Sequence, residues 1–267
     1  MRVSVITSCY NRVKTIRSCM ESVLAQDYSD IEYIIVDGAS SDGSLDVIRE
    51  MEAFVASSDF RDMHPHFTLK VISERDRNMY EAINKGIRMA TGDVIGLVHS
   101  DDFLYDTHVI SDIAETFGRT GADLVYGNGL FVDPERMNKV VRNWISGHYS
   151  RGKVKYGWLP LHPTVYIKRE AMERWGLYDE SYRIAADSDL LVRYLYEAAL
   201  KVVYMNRYIV RMRMGGLSTD PEKMKRKWTE DIRMYRSHGF NPYVSLCCKV
   251  LSKVPQFVSA KLGVTAG

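Results

Sequence analysis

Apolar runs and helical stripes alternate along the first hundred residues. Residues 3–7 predict a short strand, and RVKTIRSCMESVLAQ then places Val13, Ile16, Met20, Val23 and Leu24 at helical spacing. IEYIIVD is a second apolar run, ending at Asp37. GASSDG turns the chain, and residues 45–55 return to the helical period. FTLKVISE predicts a third strand, NMYEAINKGIRMA a helix and DVIGLVH a fourth strand. Such repetition implies a parallel sheet with helices on both faces. Ligands of such sheets bind at the carboxyl ends of the strands. Four polar clusters stand at those ends: residues 8–11, 37–42, 74–78 and 100–102.

The second half is less regular. DLVYGNGLFVD and KVVYMNRYIVRMRM read as strands, and DSDLLVRYLYEAA as a helix with an acidic start. Residues 134–163 have weak periodicity, with Gly147, Gly152, Gly157 and several aromatics, and predict a long mobile segment. The pattern divides the chain into a domain over residues 1–220 and a helical extension over residues 221–267.

Composition narrows the class. A chain of 267 residues can bury the core of one large α/β domain, and 46% hydrophobic with 26% charged residues argues against general disorder. The formal net charge of +2 excludes nucleic-acid binding by bulk electrostatics. The extension is the exception: from Glu222 onward, nine Lys or Arg face three acids. Cys9, Cys19, Cys247 and Cys248 form no C-x-x-C pair and no zinc spacing, as expected of a reduced, intracellular protein. MRVSVITSCYN has no apolar leader core, and no stretch is long and apolar enough to span a bilayer, so a cytoplasmic location is expected.

Several chemistries are missing. The sequence has no G-x-G-x-x-G after a strand, no P-loop, no G-x-S-x-G elbow and no H-E-x-x-H. The glycine-rich loop of sugar nucleotidyltransferases is also absent. What remains are polar strand ends with two readings each. Asp37 in VDGASSDGS belongs to a turn with Ser41 or Asp42 near a helix cap, or it accepts a hydrogen bond from a base or ribose. Ser8 and Asn11 can cap the first helix while Tyr10 stacks on a base. In HSDD, Asp102 is a helix cap or part of a site for a divalent cation, which favours carboxylate oxygens and substrate phosphates. Asp187 and Asp189 open a helix, so one can cap it while the other serves as general base. Glu74, Asp76, Asn84 and Lys85 are not explained by packing. His162 has no assigned role.

Six segments in order (VSVITSCYNR, VDGASSDGS, SERDRNMYEAINKGI, ATGDVIGLVHSDD, HPTVYIKRE and GLYDESYRIAADSDLLVR) resemble the family 2 glycosyltransferases of GT-A fold, especially bacterial enzymes of O-antigen and capsule assembly. The resemblance covers residues 3–217. It implies a Rossmann-like, mostly parallel sheet flanked by helices. It also implies a nucleotide-sugar donor held by Ser8, Tyr10, Asp37 and Asp76, with Asp101 near the ribose. The family's D-x-D motif falls on Ser100-Asp101-Asp102, making Asp102 the ligand of Mg²⁺ or Mn²⁺. Its glutamate–aspartate pair falls on Ala186-Asp187, making Asp187 the catalytic base of an inverting transfer to a saccharide hydroxyl. Ser100, Ala186 and Asn78 depart from the family pattern, the last standing where many members have glycine. A non-catalytic nucleotide-sugar binding module is the alternative.

The extension has two readings as well. Tyr243, Leu246, Cys247, Val250, Leu251, Val254, Phe257 and Val258 follow one helical stripe, with Ser245, Lys249, Ser252, Lys253 and Gln256 on another face and a break at Pro255. The helix either packs on the domain or lies on anionic lipid near a polyprenyl-diphosphate-linked acceptor.

Overall fold

The computed structural model describes residues 1–198, 200–215 and 221–252. Its first half follows the strand–helix alternation. The elements are β1 (Val3–Cys9), α1 (Ile16–Leu24), β2 (Ile31–Asp37), α2 (Ser44–Val55), α3 (Ser58–Met63), β3 (Thr68–Ser73), α4 (Met79–Met89) and β4 (Val94–Leu97). The order β3-β2-β1-β4 is parallel throughout, and the register sets Cys9 beside Asp37 and Asp37 beside Ser73. Three strands therefore end level, at one edge. Alternation along β1 sends Val3 and Val5 into the core on one face and Ile6 into the core on the other, so the sheet is buried on both sides.

Directions mix in the second half. It comprises β5 (Phe103–Leu104), α5 (Val109–Thr120), β6 (Leu124–Val132), β7 (Val140–Trp144), α6 (Arg151–Val154), β8 (Tyr166–Lys168), α7 (Arg169–Trp175), α8 (Ala186–Val192) and β9 (Val202–Arg213). β8 lies antiparallel between β4 and β6, while β6 and β9 run parallel. The junction depends on Gly96, where a Cβ would lie 2.0 Å from the Tyr166 ring. The segment expected to be mobile is instead built in: it contains β7 and α6. Tyr126 donates to Gly147 O at 2.7 Å and Trp158 Nε1 to Ser146 O at 3.0 Å. Its aromatics combine burial with a polar tip, which hides their order from a periodicity reading.

The extension continues as α9 (Pro221–Ser237) and α10 (Pro242–Leu251). Met234 and Tyr235 of α9 are fully buried in the same core as β1 and α4. α10 turns Pro242 and Ser245 inward, against Gly157, whose φ of +76° and 2.3 Å Cβ approach to Ser245 O suit only glycine. Tyr243, Val244, Cys247, Val250 and Leu251 face outward. The expected stripe beyond Ser252, including Lys253, Val254, Pro255, Gln256, Phe257 and Val258, lies outside the described residues. Among the described residues no helix is long and apolar enough to cross a membrane.

Candidate active site

At the carboxyl edge, the loops after β1 and β2 are locked together. Asp37 is fully buried; its carboxylate accepts from Ser40 N at 3.1 Å, Ser40 Oγ at 2.5 Å and Ser73 Oγ at 2.6 Å. Asn11 does not cap α1. It sits at φ +52°, accepts from Ser41 N at its Oδ1 and donates its own backbone N–H to Ser40 Oγ, which ties the first loop to the second. Ala39, at φ +59°, shares that left-handed conformation, an outlier for a residue with a side chain. Gly38 marks the closest approach: a Cβ there would be 3.2 Å from Tyr10 Cδ2 and 3.6 Å from Asp76 Oδ2. Tyr10, the Asp37 loop and Asp76 thus form one group, with the Tyr10 ring 62% exposed above it.

The polar residues of α4 have structural partners. Lys85 Nζ lies 2.6 Å from Glu74 and 2.7 Å from Asp76. Asn84 is buried and clamps the loop before α8, donating to Tyr178 O at 2.9 Å and accepting from Tyr178 N at 3.1 Å. Asn78 caps α4, its side chain accepting from Tyr80 N and Glu81 N. A glycine there would leave both N–H groups without that acceptor.

A second group lines a cavity of about 510 Å³, well within the range of small-molecule sites. Ser8, His99, Ser100, Asp101, Asp102 and Asp187 all face it, from β1, the loop after β4 and α8. Tyr10, Asp37 and Asp76 do not line it. The cavity thus brings together four of the seven residues that the sequence singled out, and the other three gather around Gly38.

The two adjacent acids differ. Asp102 is 2% exposed and accepts one backbone bond, from Arg213 N at 3.1 Å. Burial, with the charge of Asp101 added, pushes its carboxyl well above the ordinary carboxylate range. Among the described residues nothing donates to the Asp101 carboxylate. Arg213 holds the turn itself, donating from Nη1 to Asp101 O at 2.6 Å and from Nη2 to Ser18 Oγ at 2.8 Å. Two hard oxygen donors crowded together fit a divalent cation. Among the described residues no set of three or more His, Cys, Asp or Glu gathers into a metal cluster. A cation held here would complete its shell from phosphate and water, the pattern of Mg²⁺ and Mn²⁺.

Asp187 and Asp189 have separate partners. Asp189 accepts from Arg193 Nε at 3.0 Å and lies 3.0 Å from His238 Nε2, inside the protein. Among the described residues Asp187 accepts only from Ser188 N, at 2.8 Å, and it lines the cavity. Ala186 is fully buried in the larger core, where a carboxylate would have to be desolvated. His162 also lines the cavity; its Nε2 is 2.6 Å from Tyr178 OH, and burial holds it down to about 4, so the ring is neutral.

Several contributors escape a reading of the first 217 residues for motifs. Glu230 of α9 accepts from Ile184 N at 2.8 Å and Ala185 N at 3.1 Å, and from Arg183 N, just ahead of α8. Lys227, Asp231 and Lys249 from the extension reach the cavity wall, as do Arg142, Trp144 and Trp158. The signals for them were the basic bias of the extension and, for Trp144 and Trp158, the aromatics of residues 134–163.

A sheet whose strand ends carry Asp101 and Asp102 into one cavity, with Asp187 facing it from α8 and Asp231 from α9, has the GT-A architecture. The chain belongs to glycosyl transferase family 2, whose model matches residues 4–174, and it is a glycosyltransferase. Asp187 and the last helices lie beyond the matched span. The chain is 27% identical over 230 residues to a PGL/p-HBAD biosynthesis glycosyltransferase of Mycobacterium bovis, covering 84% of this chain and 82% of that protein. Among solved structures it resembles S. aureus TarS 1-349 in complex with UDP-GlcNAc (TM-score 0.62, 16% identity, 97% of this chain and 79% of that one). It spans 48% of a longer TarS chain. It also resembles the mannosyltransferase PcManGT from Pyrobaculum calidifontis in complex with GDP-Man and Mn2+ (TM-score 0.61, 18% identity, 100% and 76%).

Proposed function

We propose that the chain transfers a sugar, with inversion, from a nucleoside-diphosphate sugar to a hydroxyl of a saccharide acceptor. A UDP-sugar is the leading donor. The observation that carries this reading is Asp187: among the described residues its carboxylate has one backbone partner, and it lines the cavity that Asp101 and Asp102 share. Asp187 takes the proton of the acceptor hydroxyl. That oxygen attacks the anomeric carbon from the face opposite the diphosphate, and the bond to the diphosphate breaks with its electron pair. Mg²⁺ or Mn²⁺ on Asp102 would supply charge to the departing diphosphate. Asp101 lies toward the ribose, and Ser8, Tyr10, Asp37 and Asp76 frame the nucleoside. His99 and His162 also line the cavity, and burial lowers both imidazoles from their ordinary value, His162 to about 4.

The outward face of α10 supports a place on the inner surface of the cell membrane, with a polyprenyl-diphosphate-linked acceptor in cell-surface polysaccharide assembly such as O-antigen or capsule. The five outward side chains described above form an apolar stripe on a strongly basic extension, the arrangement an anionic lipid surface attracts.

Nucleotide release from a panel of UDP- and GDP-sugars with Mn²⁺ tests the reaction. Asp187→Asn is expected to lower turnover about a thousandfold while UDP or GDP binding persists. Turnover near wild type in that variant would remove the base assignment.

A further inference from the structure

Lys227 stands in the cavity wall with no ion-pair partner among the described residues. Its neighbour Lys249 is already committed, 3.1 Å from Asp231 Oδ1 and 3.4 Å from Ser188 Oγ. Arg142 reaches the same cavity, 9% exposed and stacked on Phe131 and Trp144 with its guanidinium carbon 4.9 and 4.4 Å from their ring centres. Burial, then the charges of Lys249 and Arg142, hold the Lys227 ammonium below its ordinary value; Asp187 and Asp231 act the other way. Burial also holds Arg142 down to about 10. Cationic groups crowded out of water in this way gain most from an arriving anion.

Charge balance leads to the same place. Among the described residues six basic side chains and four carboxylates line the cavity. A divalent cation and the doubly charged diphosphate of a donor cancel one another. Among the described lining residues the basic side chains still outnumber the carboxylates, and the acceptor is the reactant that remains to meet them. Asp187 marks where the acceptor hydroxyl must lie, and Asp187 is one of the charges acting on Lys227.

We infer that Lys227, with Arg142, binds an anionic group of the acceptor, a phosphate or a sugar carboxylate, close to the hydroxyl that reacts. The inference rests on the glycosyltransferase reading and names the acceptor class. Trp144, Trp158 and Ile145 on the same wall give the sugar ring an apolar surface.

The test is calorimetry on the full chain, first with UDP or GDP and Mn²⁺ alone. Failure of the wild type to bind either nucleotide overturns the donor reading, and this inference with it, before any acceptor is added. The nucleotide-saturated protein is then titrated with glucose 1-phosphate, methyl glucuronide and methyl glucoside. One of the two anionic sugars is expected to bind at least tenfold more tightly than the neutral one, and which one it is separates phosphate from carboxylate. Lys227→Ala should remove that margin and Lys227→Arg should keep it, with nucleotide affinity within twofold of wild type in both. Equal binding of the three sugars overturns the inference. So does an equal loss of nucleotide and sugar affinity in Lys227→Ala, which would place the lysine on the donor diphosphate.

Discussion

At the scale of single residues, most of the acids at the sheet edge and within it act as ties between loops, and very few remain open to a ligand. Glu32 is the clearest tie. It is fully buried in β2 and accepts from Ser4 Oγ at 2.5 Å, Lys70 Nζ at 2.6 Å, Thr91 N at 2.7 Å and Thr91 Oγ1 at 2.8 Å. Burial alone would raise its carboxyl, but the bonds from Lys70, Ser4 and Thr91 outweigh it and hold the group at about 2. Since the folded value lies below the ordinary 4.5, the stabilisation is complete above pH 4.5 and is lost as pH falls toward 2. Glu32→Gln should cost about 3 kcal/mol at neutral pH. Its melting temperature should then fall less steeply than that of wild type between pH 5 and pH 2; parallel curves would show that the carboxylate charge is not what matters. Among the described residues Asp187 contrasts with Glu32 in having one hydrogen-bond partner, as expected if it is the base proposed above.

At the scale of elements, α8 shows how a short helix is held in place by a distant one, and with it Asp187, the proposed base. Its N-cap residue Ala185 offers no side-chain cap, so the N–H groups leading into the helix turn to Glu230 on α9. Glu230→Ala should cost about 2 kcal/mol, the desolvation of donors left unpaired, and should lower kcat about tenfold or more through a displaced Asp187. Unchanged kcat with reduced melting temperature would make Glu230 a purely structural cap. The same element explains what could be read from the sequence. Long apolar strands such as β2 and long amphipathic helices such as α4 were legible because one residue's neighbours in sequence reveal its burial. β5 and β8 have two and three residues, too few for any period, and they exist only because β9, β4 and β6 pair with them. The strand-end acids and Asp187 were legible by position and resemblance. Glu230, Lys227 and Arg213 were not, because each reaches the site through packing between elements far apart in the chain.

At the scale of the whole molecule, α9 and α10 serve the site and the surface at once. Lys249 points inward beside Ser188, while Val250 and Leu251, 49% and 68% exposed, point out. Burying two such side chains in a lipid interface is worth about 1.5 kcal/mol or more each. Flotation with vesicles containing anionic lipid should therefore carry the full-length protein. The Val250→Asp, Leu251→Asp double variant should remain below at least tenfold more often, with nucleotide release unaffected; equal flotation of both would exclude this face as the membrane contact. The Glu230 contact also bears on how the protein is made. A ribosome that has just added Asp187 has not yet produced the helix that frames it, nor the Met234 and Tyr235 that complete the core around it. Under the proposed function, a growing chain that stops short of α9 holds the donor-side strand ends but lacks the Glu230 contacts that set Asp187, the proposed base, in place.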